Sequence, residues 1–208
     1  NKTFNVKIRY KLEKNFHKYN ILLSSCDIYN TQEMRHILVI GAGRSASSLI
    51  KYLLENSEKE NLHITIGDLS EELAKQKTKN HKNATAIALD IFNETQRQSE
   101  IQKADIVVSM LPAHLHIEVA KDCVLFKKHM VTASYISPAM QELDFAAKEN
   151  GLIFMNEIGL DPGVDHMSAM KVLDEIRAKG GHVILFESFC GGLVAPESDT
   201  NLWNYKFT

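Results

Sequence analysis

Residues 36–46 read HILVIGAGRSA, an apolar run followed by glycine and alanine in the spacing G-x-G-x-x-A. The apolar run at 36–40 predicts a first β-strand. After the loop, apolar side chains recur at the spacing of one helical face, at Ala46, Leu49, Ile50, Leu53 and Leu54. A strand, a glycine-rich loop and an amphipathic helix in this order are typical of a Rossmann fold, in which the helix begins at the phosphates of a dinucleotide.

The loop residues have distinct predicted roles at a dinucleotide site. Gly41 permits the tight turn, Gly43 lets the backbone approach a pyrophosphate, and the small Ala46 lets the helix pack close to the sheet. We therefore predict that the cofactor contacts Gly41, Gly43, Arg44, Ser45 and Ala46.

Asp68 is the candidate acid of this site. It lies 22 residues after Ala46, at the end of the second predicted strand, where a carboxylate can bind both ribose hydroxyls. Taken alone, this position favours NAD over NADP. The alternative is that Asp68 only opens the turn before Ser70, which we predict to cap the second helix.

Further apolar segments alternate with amphipathic ones, which is the pattern of successive βα units feeding a parallel sheet. The later predicted strands are residues 62–67, 84–89, 104–110, 129–133 and 152–155, with a helix from Pro138 to about Asn150. We predict a doubly wound parallel α/β sheet, a Rossmann domain, over residues 34–160. A helix over 164–179 and a strand over 182–189 would then begin a second α/β domain, for substrate, at residues 161–208.

The composition indicates a globular protein and argues against several partners. The chain has 208 residues, a net charge of -2 and a pI of about 6.5, so we expect no nucleic-acid partner, because phosphate binding needs a basic surplus. No run reaches the roughly 20 apolar residues of a membrane span. Cys26, Cys123 and Cys190 form no C-x-x-C pair, which fits a reducing cytoplasm. Residues 1–33 lack sustained periodicity, and we expect a disordered extension foreign to the domain. A transit-like leader and upstream sequence that is not part of the natural protein are the alternatives, and the last is favoured.

Ligands of an open α/β sheet lie beyond the carboxyl ends of its strands, so the segments after strands four, five and six are the candidate site. After strand four we expect three residues to contact the cofactor, namely Ser109, Leu111 and Pro112. After strands five and six come Ser134, Tyr135 and Asp161. For these, position supports a binding role and simple turn formation equally.

Other polar residues near these loops are interpreted as structural. Asp165 is expected to cap the helix that follows it. His114 and His116 stand two apart after Pro112, with no further ligand at metal spacing. We therefore interpret them as surface or loop histidines and predict no metal site.

Three long motifs occupy the segments after these strands. They read SYISPAM at residues 134–140, MNEIGLDPGVDHM at 155–167 and CGGLVAPE at 190–197. These motifs, in this order, resemble the saccharopine dehydrogenase family in its glutamate-forming saccharopine reductase branch, and the likeness runs from about Met34 to the end. The resemblance implies the N-terminal fragment of an oxidoreductase acting on a CH–NH bond. Such enzymes interconvert saccharopine with glutamate and 2-aminoadipate 6-semialdehyde in lysine metabolism.

The resemblance also implies roles for individual residues. The saccharopine site would be lined by Ser134, Tyr135, Asp161, Cys190, Gly191 and Gly192. Of these, Tyr135 and Asp161 would be catalytic, and either Asp161 or Glu157 would pair with the substrate nitrogen. Cys190 would have a binding or packing role, because hydride transfer needs no thiolate nucleophile. The branch typically uses NADP, so the resemblance indicates NADP where Asp68 indicates NAD.

Two alternatives stay open from the sequence. Val194 stands where the family usually has proline, and Leu202 replaces the proline of an Asn-Pro pair. These departures fit a related NAD(P)-dependent imine reductase acting on another amino-acid conjugate. The family's substrate domain would continue past Thr208, so a noncatalytic dinucleotide-binding module is the second alternative, and activity of the fragment alone is not expected. A homo-oligomer, either dimer or tetramer, is compatible with all three interpretations.

Overall fold

Six parallel strands form the central sheet of the computed structural model, which describes residues 34–187. The strands are β1 (Arg35–Ile40), β2 (Leu62–Asp68), β3 (Ala84–Ala88), β4 (Ile106–Ser109), β5 (His129–Thr132) and β6 (Phe154–Met155). Their spatial order is β3-β2-β1-β4-β5-β6, and every neighbouring pair is parallel. This is the doubly wound order of a Rossmann fold, so the predicted fold class is confirmed.

Helices connect the strands. They are α1 (Ser47–Asn56), α2 (Glu71–Thr78), α3 (Glu94–Lys103), α4 (His116–Leu125), α5 (Pro138–Glu142), α6 (Asp144–Glu149) and α7 (Val164–Ala178), with short 3-10 helices at Arg44–Ala46 and Ala113–Leu115. Ser70 caps α2 as predicted, because its Oγ accepts a hydrogen bond from the Leu73 amide at 3.4 Å. Pro138 is the first residue of α5, where its missing N–H costs nothing.

Alternate residues of β1 face the two halves of the core. Ile37 and Val39 pack with Ile50 of α1, whereas Leu38 and Ile40 pack in a second cluster with residues of α3 and α4. Because helices cover both faces of the sheet, β1 is apolar at every one of these positions instead of alternating with polar residues. The strand therefore holds the start of the glycine loop firmly at the centre of the sheet.

A buried ion pair joins α3 to α4, the two helices that pack against Leu38 and Ile40. Arg97 of α3 and Asp122 of α4 have side chains that are 8% and 6% exposed, and Arg97 Nε donates to Asp122 Oδ2 at 2.5 Å. Arg97 Nη1 also donates to the Ile91 carbonyl at 2.6 Å, and Gln98 Nε2 donates to Asp122 Oδ1 at 3.0 Å. The pair joins α3 to α4 with both buried charges hydrogen bonded, which is the condition for tolerating them in a core.

The structure differs from the predicted elements by more than one residue in four segments. The fourth strand, predicted over 104–110, is limited to Ile106–Ser109. The sixth strand is limited to Phe154–Met155, because only two residues of β5 pair with it. The helix predicted from residue 138 is divided at Leu143 into α5 and α6. The strand predicted over 182–189 is wrong for residues 182–187, which form no strand. No described strand lies beside them to complete a ladder, and Ile184 is 98% exposed.

Several predictions fall outside the described residues. These are the extension at 1–33, the last two residues of the strand predicted over 182–189, and the candidate site residues Cys190, Gly191 and Gly192. The division between residues 34–160 and 161–208 stays a prediction. Between residues 34 and 187, no helix has the length and apolar character that crossing a bilayer requires.

Candidate active site

Two glycines of the loop after β1 have different roles. Gly41 adopts a backbone conformation that favours glycine, and Gly43 leaves open space beside the loop. Gly41 has a φ of +106°, and a Cβ there would meet the Met110 carbonyl oxygen at 2.9 Å. Gly43 has a φ of -62°, and a Cβ there would have no neighbour within 4 Å. Ala46 is 1% exposed and packs beneath the loop. The loop thus leaves free space where a pyrophosphate approaches the backbone of a Rossmann domain.

Both carboxylate oxygens of Asp68 accept hydrogen bonds from the backbone. Oδ1 accepts from the Ser70 amide at 2.9 Å, which is the turn that the sequence allowed as an alternative role. Oδ2 accepts from the Ala42 amide at 2.7 Å, a contact that the sequence did not indicate and that ties β2 to the glycine loop. Each oxygen keeps a second lone pair, so Asp68 can still accept a ribose hydroxyl.

A cavity of about 210 Å³ opens between the glycine loop and the ends of β2 and β3. Most of its lining is apolar, with two carboxylates, and includes Gly41, Asp68, Leu69, Asp90, Phe92 and Leu111. Apolar walls with a few fixed polar groups suit a purine base and its ribose, and we call this space the adenosine cavity. Three predicted cofactor residues line it, namely Gly41, Asp68 and Leu111. Three others are exposed nearby, namely Arg44 and Ser45 in the 3-10 helix after the glycines and Pro112 after β4.

A second cavity, of about 390 Å³, is formed by segments that follow β4, β5 and β6. Its lining includes apolar residues such as Ala113, and we call it the polar cavity only after the hydroxyls of Ser134 and Tyr135 and the carboxylate of Asp161 that line it. The Tyr135 hydroxyl donates to Asp161 Oδ1 at 3.2 Å. The structure therefore brings together the three predicted substrate residues that it describes, although they come from segments 26 residues apart.

Glu157 contacts the backbone instead of the polar cavity. Its Oε1 accepts a hydrogen bond from the Ile136 amide at 3.2 Å, and its own amide donates to the Ser134 carbonyl at 3.0 Å. Its φ of 61° lies in the left-handed region, which these two bonds help to hold. Glu157 thus connects the loop after β6 to the loop after β5.

His116 is buried, which corrects its interpretation as a surface or loop histidine. It is 4% exposed, and its Nδ1 lies 2.8 Å from the Oγ of Ser109. Its Nε2 lies 2.7 Å from Ser134 Oγ. Burial, followed by the neighbouring His114, lowers the pKa of the His116 imidazole below its ordinary value. Ser109, a predicted cofactor residue, is 0% exposed, with its hydroxyl directed to this ring.

The turn before α7 is closed by its own backbone. The Gly159 amide donates to the Pro162 carbonyl at 2.9 Å, and the Val164 amide donates to the Gly159 carbonyl at 2.9 Å. Gly163, with a φ of +146°, precedes the helix. The predicted capping role of Asp165 is wrong, because α7 begins one residue earlier, although Asp165 Oδ1 accepts from the Gly163 amide at 2.9 Å.

No metal site was predicted, and the described residues include one group close enough to hold an ion. Ligand atoms of Asp161, Asp165 and His166 all lie within 4.8 Å of one another. Each carboxylate also accepts a hydrogen bond from the protein, from Tyr135 Oη and from the Gly163 amide. His166 Nδ1 lies 2.8 Å from Asp165 Oδ1. Protein hydrogen bonds alone account for this arrangement.

The sheet order and the glycine loop define the class: a Rossmann protein with the fold that binds a dinucleotide. The comparisons with known proteins agree. Residues 37–155 match the family model "Saccharopine dehydrogenase NADP binding domain", and residues 159–208 match "Saccharopine dehydrogenase C-terminal domain". The chain belongs to the saccharopine dehydrogenase family.

Curated relatives carry two names. "Saccharopine dehydrogenase [NADP(+), L-glutamate-forming]" of Pyricularia oryzae is 41% identical over 174 residues, which are 84% of this chain and 38% of the relative. "Alpha-aminoadipic semialdehyde synthase, mitochondrial" of Mus musculus is 38% identical over 84% of this chain and 18% of its own length. The chain thus spans well under half of the relatives it matches.

A solved structure of the same family has a similar fold. The apo saccharopine dehydrogenase (L-Glu forming) from Saccharomyces cerevisiae matches with a TM-score of 0.70 and 36% identity, covering 84% of this chain and 38% of that chain. A further match, GenD2 from gentamicin A biosynthesis in complex with NAD, has a TM-score of 0.52 at 15% identity. The second match supports the fold alone.

Proposed function

We propose that this chain supplies the dinucleotide site and part of the substrate site of an oxidoreductase that acts on the CH–NH bond of saccharopine. Removal of hydride from the CH–NH group gives an imine, and its hydrolysis by one water releases glutamate and 2-aminoadipate 6-semialdehyde; the reverse reaction forms saccharopine, in lysine metabolism. The observation that carries the proposal is the position of Ser134, Tyr135 and Asp161 in one cavity beyond the ends of the sheet strands. In a doubly wound fold, that edge is where a substrate meets the nicotinamide.

The chemistry divides between the cofactor and the chain. A bound nicotinamide would supply the hydride acceptor. The chain's own residues bind and orient a substrate that carries several carboxylates and a nitrogen whose positive charge develops as the C–N bond is oxidised. The carboxylate of Asp161, held by the Tyr135 hydroxyl at 3.2 Å, is the charge that can stabilise this nitrogen.

Asp161 is a better partner for the substrate nitrogen than Glu157. Asp161 lines the polar cavity and is exposed there, whereas Glu157 Oε1 accepts a hydrogen bond from the Ile136 amide. Moving Glu157 toward substrate would leave that amide without its acceptor. We therefore assign the nitrogen contact to Asp161 and a loop-bracing role to Glu157.

NADP is the proposed cofactor, and NAD is the second candidate. NADP is supported by the name of the matched family model and by the names of curated relatives. NAD is supported by the adenosine cavity, which Asp68 and Asp90 line without any lysine or arginine from the described residues. Calorimetric titration of the chain with each dinucleotide distinguishes them, because a 2′-phosphate is repelled by a nearby carboxylate.

The test of the proposed reaction is turnover of saccharopine by the complete protein that carries this chain, followed at the nicotinamide absorbance band. Asp161→Asn should lower kcat/KM by about 10- to 100-fold, because one hydrogen bond from a charged group is worth about 1.5–3 kcal/mol. Dinucleotide affinity should stay unchanged. Asp144→Asn is the matched control, since Asp144 is an exposed carboxylate in α6 that pairs with Lys148.

Two outcomes would replace the proposal. Turnover of another amine-linked amino acid, with none of saccharopine, would indicate a related imine reductase. Dinucleotide binding without turnover of any such amine would indicate a noncatalytic module. Equal loss of turnover and dinucleotide affinity in Asp161→Asn would mean that the substrate site is misplaced. A cytoplasmic location and a homo-oligomeric state stay predictions.

A further inference from the structure

The buried imidazole of His116 connects the core of the sheet to the polar cavity. His116 lies at the first turn of α4, and three hydroxyls from the ends of β4 and β5 surround it. Ser109 Oγ lies 2.8 Å from Nδ1, and Ser134 Oγ lies 2.7 Å from Nε2. Thr132 Oγ1 lies 3.1 Å from Nε2 and 3.5 Å from Nδ1.

Of these three hydroxyls, only that of Ser134 belongs to a residue that lines the polar cavity. Ser109 and Thr132 are 0% and 2% exposed, so they fix the ring from within the protein. Ser134 is half-buried and lines the polar cavity with Tyr135 and Asp161. Any effect of His116 on a ligand must therefore pass through the Ser134 hydroxyl.

A neutral imidazole has one N–H and one lone pair, so the tautomer decides which way the Ser134 proton points. With the proton on Nδ1, that nitrogen donates to Ser109 Oγ, and Nε2 accepts from the Ser134 hydroxyl. Ser134 Oγ then has its lone pairs free to accept from a ligand N–H. With Nε2 protonated, the Ser134 proton turns toward the cavity and opposes such a ligand.

We propose that His116 is a positioning residue: as the Nδ1–H tautomer it orients Ser134 Oγ as a hydrogen-bond acceptor for the N–H of the substrate's secondary amine. The assignment rests on the proposed function for the identity of that amine.

Protonation of His116 should abolish this orientation. The ordinary pKa is 6.5, and burial with the neighbouring His114 lowers it for His116, so the ring is neutral at pH 7. The titratable groups near it are His114 before α4 and, on the polar cavity, Tyr135 and Asp161; the ends of β4 and β5 present only hydroxyls. As the pH falls below 6.5 and through the lowered pKa, kcat/KM should fall, because Nε2–H then donates to Ser134 Oγ, occupies one of its two lone pairs and turns the Ser134 proton toward the substrate N–H.

The test compares His116→Gln with His114→Gln, an exposed histidine two residues away, in the complete protein. We expect His116→Gln to lower kcat for saccharopine by about 10- to 100-fold, which is the loss of one hydrogen bond to substrate. It should leave dinucleotide affinity within about twofold and remove the acidic limb of the pH profile of kcat/KM. His114→Gln should keep kcat and retain an acidic limb, moved to higher pH because His114 no longer helps to lower the pKa of His116. The double variant His116→Gln with Ser134→Ala should match Ser134→Ala alone, because both changes remove one interaction. Additive losses, or an equal loss of dinucleotide affinity, would overturn the proposal.

A second measurement on the chain separates this inference from the proposed reaction. Nitrogen-15 NMR of the imidazoles should show His116 as the Nδ1–H tautomer at pH 7, with an Nε2 resonance that moves in Ser134→Ala. The Nε2–H tautomer, or an Nε2 resonance indifferent to Ser134→Ala, would refute the positioning role. If the wild-type protein does not oxidise saccharopine and the NMR result holds, the proposed substrate is wrong while the orientation of Ser134 stands.

Discussion

Gly41 and Gly43 stand two residues apart in one loop, and the structure predicts opposite consequences for replacing them with alanine. At Gly41 the φ of +106° and a Cβ 2.9 Å from the Met110 carbonyl oxygen both oppose a side chain. At Gly43 the φ of -62° suits alanine, and the Cβ would have no neighbour within 4 Å. Gly41→Ala should therefore damage the fold, and Gly43→Ala should damage only the ligand site.

The magnitudes follow from these two environments. A sparsely populated backbone conformation costs about 1–3 kcal/mol, and the contact with a backbone oxygen adds about 1–3 kcal/mol. Gly41→Ala should thus lower the free energy of unfolding by about 2–6 kcal/mol. Gly43→Ala should leave it unchanged or raise it by up to about 1 kcal/mol, because alanine has fewer unfolded conformations. The new methyl group would occupy the space of the pyrophosphate, so dinucleotide affinity should fall at least about tenfold.

Urea unfolding and calorimetric titration with NADP and NAD, both on the purified chain, measure the two effects. The expected pattern is a lower unfolding midpoint for Gly41→Ala and a normal midpoint with weak binding for Gly43→Ala. Normal dinucleotide affinity in a folded Gly43→Ala variant would refute the assignment of this loop to the pyrophosphate. A normal unfolding midpoint for Gly41→Ala would refute the steric argument.

Three further variants and one labelling experiment test the cofactor site and the packing of the core. Asp68→Asn should raise the affinity for NADP relative to NAD by about fivefold to tenfold, because it removes a negative charge from the adenosine cavity; an unchanged ratio in calorimetry would contradict this. Asp122→Ala should lower the free energy of unfolding by about 3–5 kcal/mol, because it strands the buried Arg97 charge. In Asp174→Ala, by contrast, an exposed pair is lost and the unfolding midpoint should stay near wild type. Burial, with Asp122 adding to it, raises the pKa of the Cys123 thiol to about 12, so Cys123 should resist alkylation at pH 8 until the protein unfolds, as judged by peptide mass spectrometry.

The sheet and the glycine loop could be predicted because local patterns determine them. The apolar run before Gly41 is continuous because helices cover both faces of β1. The spacing of Gly41, Gly43 and Ala46 predicts the tight turn and the close packing of α1 against the sheet. The length of β6 could not be predicted, because it depends on how many residues of β5 are available to pair. Residues 182–187 were predicted as a strand because their sequence is apolar. Whether a neighbouring strand pairs with them cannot be seen in the sequence, and in the structure they form no strand.

The polar cavity was predicted only in part, because its contacts join distant segments. Position at the ends of strands identified Tyr135 and Asp161, but the bond between them could not be read from residues 26 apart. His116 was misjudged because it was considered with His114 as a possible metal pair. Its spacing to Val119, Ala120 and Cys123 places it on the buried face of α4, and this helical periodicity was the available signal.

The most direct test of the proposed reaction is the identity of the product formed from saccharopine by the complete protein carrying this chain. The account predicts one glutamate for each nicotinamide reduced, accompanied by the semialdehyde, as measured by amino-acid analysis alongside absorbance. Release of lysine in place of glutamate, or reduction of nicotinamide without either amino acid, would contradict it.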